Sequence, residues 1–294
     1  MLALALLVAV TAVWGLTFVQ VKDAVALYPL FAFLALRFGI ASATLAVPAR
    51  GRMASLGRRG WVAGAALGLL LAAGYALQTA GLERTTVSST GFITGLYVVF
   101  TPLLALLLFG TRIGAAAWLG VALATVGLAL LSGVDTGRLL GDALVLAASA
   151  VYSLQIVLLE RYAPRYDAVA LTQTEMLAAF AGFTAVALAL GQLEVPHGWT
   201  VWGALVVTGV FASALAFLVQ TWAQRRVSAA RTALAFAMEP VFAALFGFWL
   251  AGDRLGAAAW AGAALIMAGI VVSEPAAADA LRRLLPRATP RPSA

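Results

Sequence analysis

Gly110-Thr-Arg-Ile-Gly-Ala-Ala-Ala-Trp118 and Gly252-Asp-Arg-Leu-Gly-Ala-Ala-Ala-Trp260 are one stretch written twice, 142 residues apart. At the same offset Gln78-Thr79 matches Gln220-Thr221, Gly120 matches Gly262 and Gly127 matches Gly269. Self-similarity at a fixed long spacing marks a duplicated structural unit and has to be read before any fold assignment. It predicts two units, residues 1–136 and 137–274, followed by a disordered tail over 275–294.

What each unit contains follows from composition. The chain is 63% hydrophobic and 11% charged, where a soluble domain carries about 25% charged residues. Apolar runs recur along the whole length, and the spacing predicts an all-α membrane protein with ten transmembrane helices. They fall near 2–21, 30–47, 62–82, 89–109, 115–131, 142–159, 168–190, 202–222, 232–251 and 257–273. Met1 leads straight into an apolar run without the basic n-region of a secretory signal, so the first segment is expected to stay as a helix. A net charge of +7 could point to nucleic acid, but the arginines lie between apolar runs, where they suit anionic lipid headgroups.

Sidedness follows from those basic residues. The loops around 48–60, Arg112, 160–167 and 225–231 together with the tail hold 14 Lys and Arg, while Lys22, Arg84, Arg138 and Arg254 make 4 on the other side. The positive-inside rule then places both termini in the cytoplasm and supports an even number of spans. Five spans per unit is odd, so the second unit enters the membrane upside down. Inverted repeats of this kind bind solute near the midplane, between the halves. The opening helices align at a different offset, 138, where Ala12-Val13-Trp14 meets Ala150-Val151-Tyr152, Arg37 meets Glu175 and Thr101-Pro102 meets Glu239-Pro240.

Ionisable groups within spans each cost a few kcal/mol unless paired or hydrated. Arg37, Glu175 and Glu239 are the clear ones, the two carboxylates sharing a level roughly 10 Å deep. They read either as a coupling or substrate-amine site, or as structural charges neutralised by a proton or by Arg225 or Arg231. Pro102 and Pro240, within spans four and nine, free the carbonyls of Val98 and Phe236 and are candidate hinges. Trp14, Tyr75, Gln78, Tyr97, Tyr152, Gln155, Gln220 and Trp222 form a constellation of rings and amides suited to a mid-sized, partly apolar solute. Trp61, Trp118, Trp199, Trp202 and Trp260, near span ends, read instead as interfacial belts. Spans five and ten carry almost nothing polar and are expected to form a scaffold. Gly64-x-x-x-Gly68, Ala116-x-x-x-Gly120 and Ala258-x-x-x-Gly262 permit close helix packing.

Several chemistries are excluded. The chain has no cysteine, so disulfides and thiol chemistry are absent. The single lysine, Lys22, has no Gly-rich loop before it and makes no phosphate cradle. The single histidine, His197, lies in a loop with no metal-ligand spacing. No cofactor and no metal are implied, and transport would be passive, exchanging or coupled to an ion gradient.

With these residues in view the chain resembles the drug/metabolite transporter superfamily, specifically its EamA-type ten-helix bacterial branch. The resemblance rests on Val13-Trp14-Gly15 and its echo Val151-Tyr152-Ser153, on Arg37-Phe38, and on Glu239-Pro240. It rests too on Leu250-Ala251-Gly252-Asp253-Arg254 and on Gly262 with Gly269, although Asp253 and Thr111 stand where the family usually has Glu. It implies export of amino acids or other small metabolites by a monomer or weak homodimer. An integral membrane enzyme acting on lipid, with Glu175 and Glu239 as its acid–base pair, and a channel or scaffold remain the alternatives.

Overall fold

The computed structural model describes residues 1–85, 87–111, 113–132, 139–250 and 256–273. Arg112, Arg138, the Gly252-Asp253-Arg254 stretch and the tail lie outside the described residues. Among the described residues every regular element is helical: α1 (Leu2–Leu27), α2 (Leu30–Ala49), α3 (Gly57–Leu82), α4 in two pieces (α4a, Val87–Gly95; α4b, Tyr97–Phe109), α5 (Ala115–Ser132), α6 (Leu139–Tyr162), α7 (Ala168–Ala189), α8 (Trp199–Gln224), α9 in two pieces (α9a, Ala229–Phe236; α9b, Glu239–Leu250) and α10 (Ala257–Ser273). Among the described residues eight stretches are long and apolar enough to cross a membrane, and the cores of α5 and α10 are shorter apolar helices. Seventeen helical residues rise about 26 Å, slightly less than a hydrocarbon core. That is why ten full-length spans are not obtained by length alone.

Local chemistry fixes the helix ends. Asp167 caps α7 by accepting the Ala170 N–H at 3.0 Å, and Ser228 caps α9a by accepting the Arg231 N–H. The expected continuous helices over 89–109 and 232–251 are both interrupted, at Leu96 and at Ala237–Met238. Pro240 explains the second break, because it sits in the first turn of α9b, where a missing N–H costs nothing. Pro102 does not mark the first break. It lies within continuous α4b, and the chain gives way one and a half turns earlier. Gly91 and Gly95 there face the Pro240 ring, so the two interruptions lie against each other.

The helix pairings come in matched sets. α3 lies along α6 and α7, as α8 lies along α1 and α2; α4 packs on α6, as α9 packs on α1. α2 with α7 and α5 with α10 each pair across the halves, while α4b meets α9a and α4a meets α9b. Glycines make the closest approaches. A methyl on Gly120 would lie 2.7 Å from the Gly269 carbonyl oxygen, and one on Gly127 would lie 2.5 Å from that of Gly262. Contacts rising along α5 therefore descend along α10, and the helices run antiparallel. On α3, Gly64 and Gly68 admit Thr174 and the Glu175 backbone of α7, while Gly74 and Gly81 admit Tyr152 and Val145 of α6. The five tryptophans expected at interfaces are all exposed.

Candidate functional site

Where α1, α2, α3, α4, α6, α8 and α9 converge they leave a cavity of about 60 Å³, room for a handful of waters. Trp14, Tyr75, Gln78, Tyr97, Tyr152, Gln155 and Gln220 all line it, as do Arg37 and Glu239. Trp222 does not. It lies two residues beyond Gln220, about 200° around the helix, where Arg226 covers its ring at 4.4 Å. Glu175 stands behind the wall, fully buried, with Gln155 Nε2 donating to its Oε2 at 3.4 Å.

A continuous run of rings forms one wall. Tyr75 meets Phe217 at 6.2 Å, Phe217 meets Trp14 at 5.7 Å, Trp14 meets Phe236 at 4.9 Å and Phe236 meets Tyr97 at 6.1 Å between centroids. The rings of Phe217 and Phe236 were not singled out in the sequence, where Phe236 was named only for its carbonyl, because phenylalanine in an apolar helix carries no mark separating a lipid-facing position from a cavity-facing one. Tyr152 packs edge-on against Tyr75 and donates to Gln78 Oε1 at 3.2 Å, and Gln78 donates to Thr94 Oγ1 at 2.9 Å.

The two charged groups close opposite ends of this run. Arg37, 3% exposed, donates through Nε to Ser213 Oγ at 2.9 Å and through Nη2 to the Tyr75 hydroxyl at 3.2 Å. Its guanidinium lies 4.5 Å from the Tyr75 ring centroid. Ser213 and the Ala212 carbonyl, which accepts the Trp14 indole N–H at 2.8 Å, belong to a π-helical stretch of α8, Val207–Leu215. Such widened turns are frequent at functional sites. Gly209 in the same stretch lets α8 approach the Arg37 backbone, since a methyl there would lie 3.0 Å from the Arg37 carbonyl oxygen.

At the other end the Tyr97 hydroxyl is 2.7 Å from the Phe236 carbonyl oxygen and 3.1 Å from Glu239 Oε2. The Phe236 carbonyl is the one Pro240 leaves without its helical donor, and Tyr97 satisfies it from across the cavity. A phenol has a single proton, so it donates to one of these oxygens at a time, and both contacts are hydrogen bonds together only when Tyr97 donates to the Phe236 carbonyl and accepts from a protonated Glu239. Beyond Gln155, Gln220 Nε2 donates to Gln155 Oε1 at 3.1 Å and to Gln224 Oε1 at 2.9 Å, and Gln224 donates to the Ile156 carbonyl. Among the described residues Glu175 Oε1 and Gln220 Oε1 have no hydrogen-bond partner. The hosts of both carboxylates are thus neutral amides and hydroxyls.

An all-helical bundle of lipid-length apolar elements around a cavity walled by rings and a few amide and ionisable groups defines a multi-pass membrane protein of the solute-transporter class. The comparisons agree. The EamA-like transporter family matches residues 1–133 and 139–273, and the chain belongs to that family, within the drug/metabolite transporter superfamily. It is 30% identical over 270 residues to an uncharacterized transporter of Archaeoglobus fulgidus, covering 90% of this chain and 82% of the relative. It is 25% identical over 274 residues to the uncharacterized transporter YyaM of Bacillus subtilis, covering 88% and 89%. A solved crystal structure superposes with a TM-score of 0.78 at 21% identity, covering 94% of this chain and 98% of that one, a likeness of fold.

Proposed function

We propose that this transporter is a secondary carrier that exports amino acids, neutral or aromatic, across the bacterial inner membrane by alternating access. Both termini are cytoplasmic, and ten spans form two inverted halves, 1–136 and 137–274. The observation that carries the reading is the buried cavity between them, walled by rings and amides and closed by one guanidinium and one carboxylate. A mid-sized solute with an apolar side chain and polar ends suits such a lining. The antiparallel glycine contacts of α5 with α10, the matched helix pairings and the 14-to-4 charge split support the inverted arrangement.

In this mechanism α1–α4 rock against α6–α9 while α5 and α10 serve as a back wall. Loading and release of a solute at this cavity require the halves to part on one side at a time. The hinges are the facing interruptions at Leu96 and Ala237–Met238, with Pro240 at the second. Glu239, and Glu175 behind Gln155, are the groups for ion coupling. Purified protein in liposomes loaded with unlabelled phenylalanine should give saturable counterflow of labelled phenylalanine. Linear, non-saturating flux would make the protein a channel, and no flux of any amino acid would remove the reading.

A further inference from the structure

We propose that Arg37 is the anchor for the solute's carboxylate, so that the cavity selects molecules bearing a free carboxylate beside an apolar side chain. This rests on the amino-acid reading for the solute's identity, but the anchor itself is argued from the geometry around Arg37.

A guanidinium carries five N–H donors and stays protonated. Arg37 spends one on Ser213 and one on Tyr75, and its Nη1 has no hydrogen bond among the described residues. Nη1 is also not among the fully enclosed, unpartnered atoms, and Arg37 lines the cavity. The free edge of the fork therefore opens into the solute space. Both partners are neutral, and among the described residues no carboxylate lies within 4 Å of the guanidinium. The π-faces of Tyr75, at 4.5 Å, and of Phe38, at 5.8 Å, add partial compensation but no counter-charge. A full positive charge about 10 Å into the membrane from the start of α2 is costly without an anion.

The surroundings are arranged for that anion. The Tyr75 hydroxyl accepts from Arg37 and finds no acceptor for its own proton among the described residues. A carboxylate placed at Nη1 would accept from both groups, a charge-assisted pair of bonds with the planar fork suited to it. Phe217 and Trp14 follow immediately along the ring wall and would receive the side chain. Opposite-end Glu239 is already engaged by Tyr97, which leaves Arg37 as the primary point of recognition.

The test compares displacement of labelled phenylalanine from purified full-length protein by three probes: 3-phenylpropanoate, phenylalanine methyl ester and 2-phenylethylamine. In the wild type, phenylpropanoate should compete at least about tenfold better than the ester or the amine. Arg37→Lys, which keeps the charge and loses the fork, should compress that ratio, and Arg37→Gln should abolish it. If Arg37→Gln is not monodisperse, Arg37→Lys decides alone. An ester that matches phenylpropanoate in the wild type, or an undiminished ratio in Arg37→Lys, overturns the assignment. Wild type that retains no labelled phenylalanine yet binds labelled 3-phenylpropanoate directly, with that binding lost in Arg37→Gln or weakened in Arg37→Lys, would instead overturn the amino-acid reading and leave the anchor standing.

Discussion

Tyr97 shows how much one side chain can tie together. Its hydroxyl closes the carbonyl that Pro240 opened on Phe236 and touches Glu239 at the same time. Tyr97→Phe keeps the ring and removes both contacts, so it should lower stability by about 0.5–2 kcal/mol, the worth of a buried hydrogen bond in water or lipid. Thermal unfolding in detergent measures this, and an unchanged midpoint would show that the carbonyl finds another donor. Glu239→Gln should flatten the pH dependence of transport; a profile identical to wild type would exclude Glu239 from coupling. Trp14→Ala should abolish counterflow in a protein that still elutes as a single species, whereas Trp222→Ala should transport normally because its ring faces away from the cavity. Most of the wall was legible in the sequence, because tyrosines, tryptophan and amides are conspicuous in apolar spans. Trp222 was misplaced because composition carries no helical phase in a segment that is apolar all round. Ser213 and Thr94 were missed for the opposite reason: small hydroxyls satisfy themselves within any helix and signal nothing until a partner appears across a cavity.

At the scale of helices, glycine decides where backbones touch. Gly127→Leu would force α5 off α10 at a point where even a methyl would lie 2.5 Å from the Gly262 carbonyl oxygen. The expected loss is several kcal/mol, above the roughly 1–3 kcal/mol of ordinary overpacking, read as a fall in unfolding temperature. Gly269→Leu should behave alike, because it meets Gly120 in the same crossing. These glycines stood out in the sequence through their matched spacing, although which one met which required the antiparallel crossing. The interruptions were only half legible. Pro240 announces the break in α9, but the break in α4 falls at Leu96, where nothing in the local sequence forbids a helix. It arises from tertiary packing, as Gly91 and Gly95 receive Pro240 and Ser149 takes the Thr94 carbonyl at 2.9 Å.

For the molecule as a whole, the 142-residue spacing is the sequence's argument for duplication, and the placement of arginines between spans its argument for sidedness. The lengths of α5 and α10 leave the span number open by composition alone, so the proposed carrier mechanism depends on the second half lying upside down relative to the first. The absence of native cysteine makes this directly measurable. Ser55, between α2 and α3, and His197, between α7 and α8, occupy equivalent connections in the two halves, and both are exposed. Single substitutions Ser55→Cys and His197→Cys, probed in intact cells with a membrane-impermeant thiol reagent, should react from opposite faces, His197→Cys from outside and Ser55→Cys only after lysis. Reaction of both from the same face would contradict the inverted arrangement and the carrier mechanism built on it.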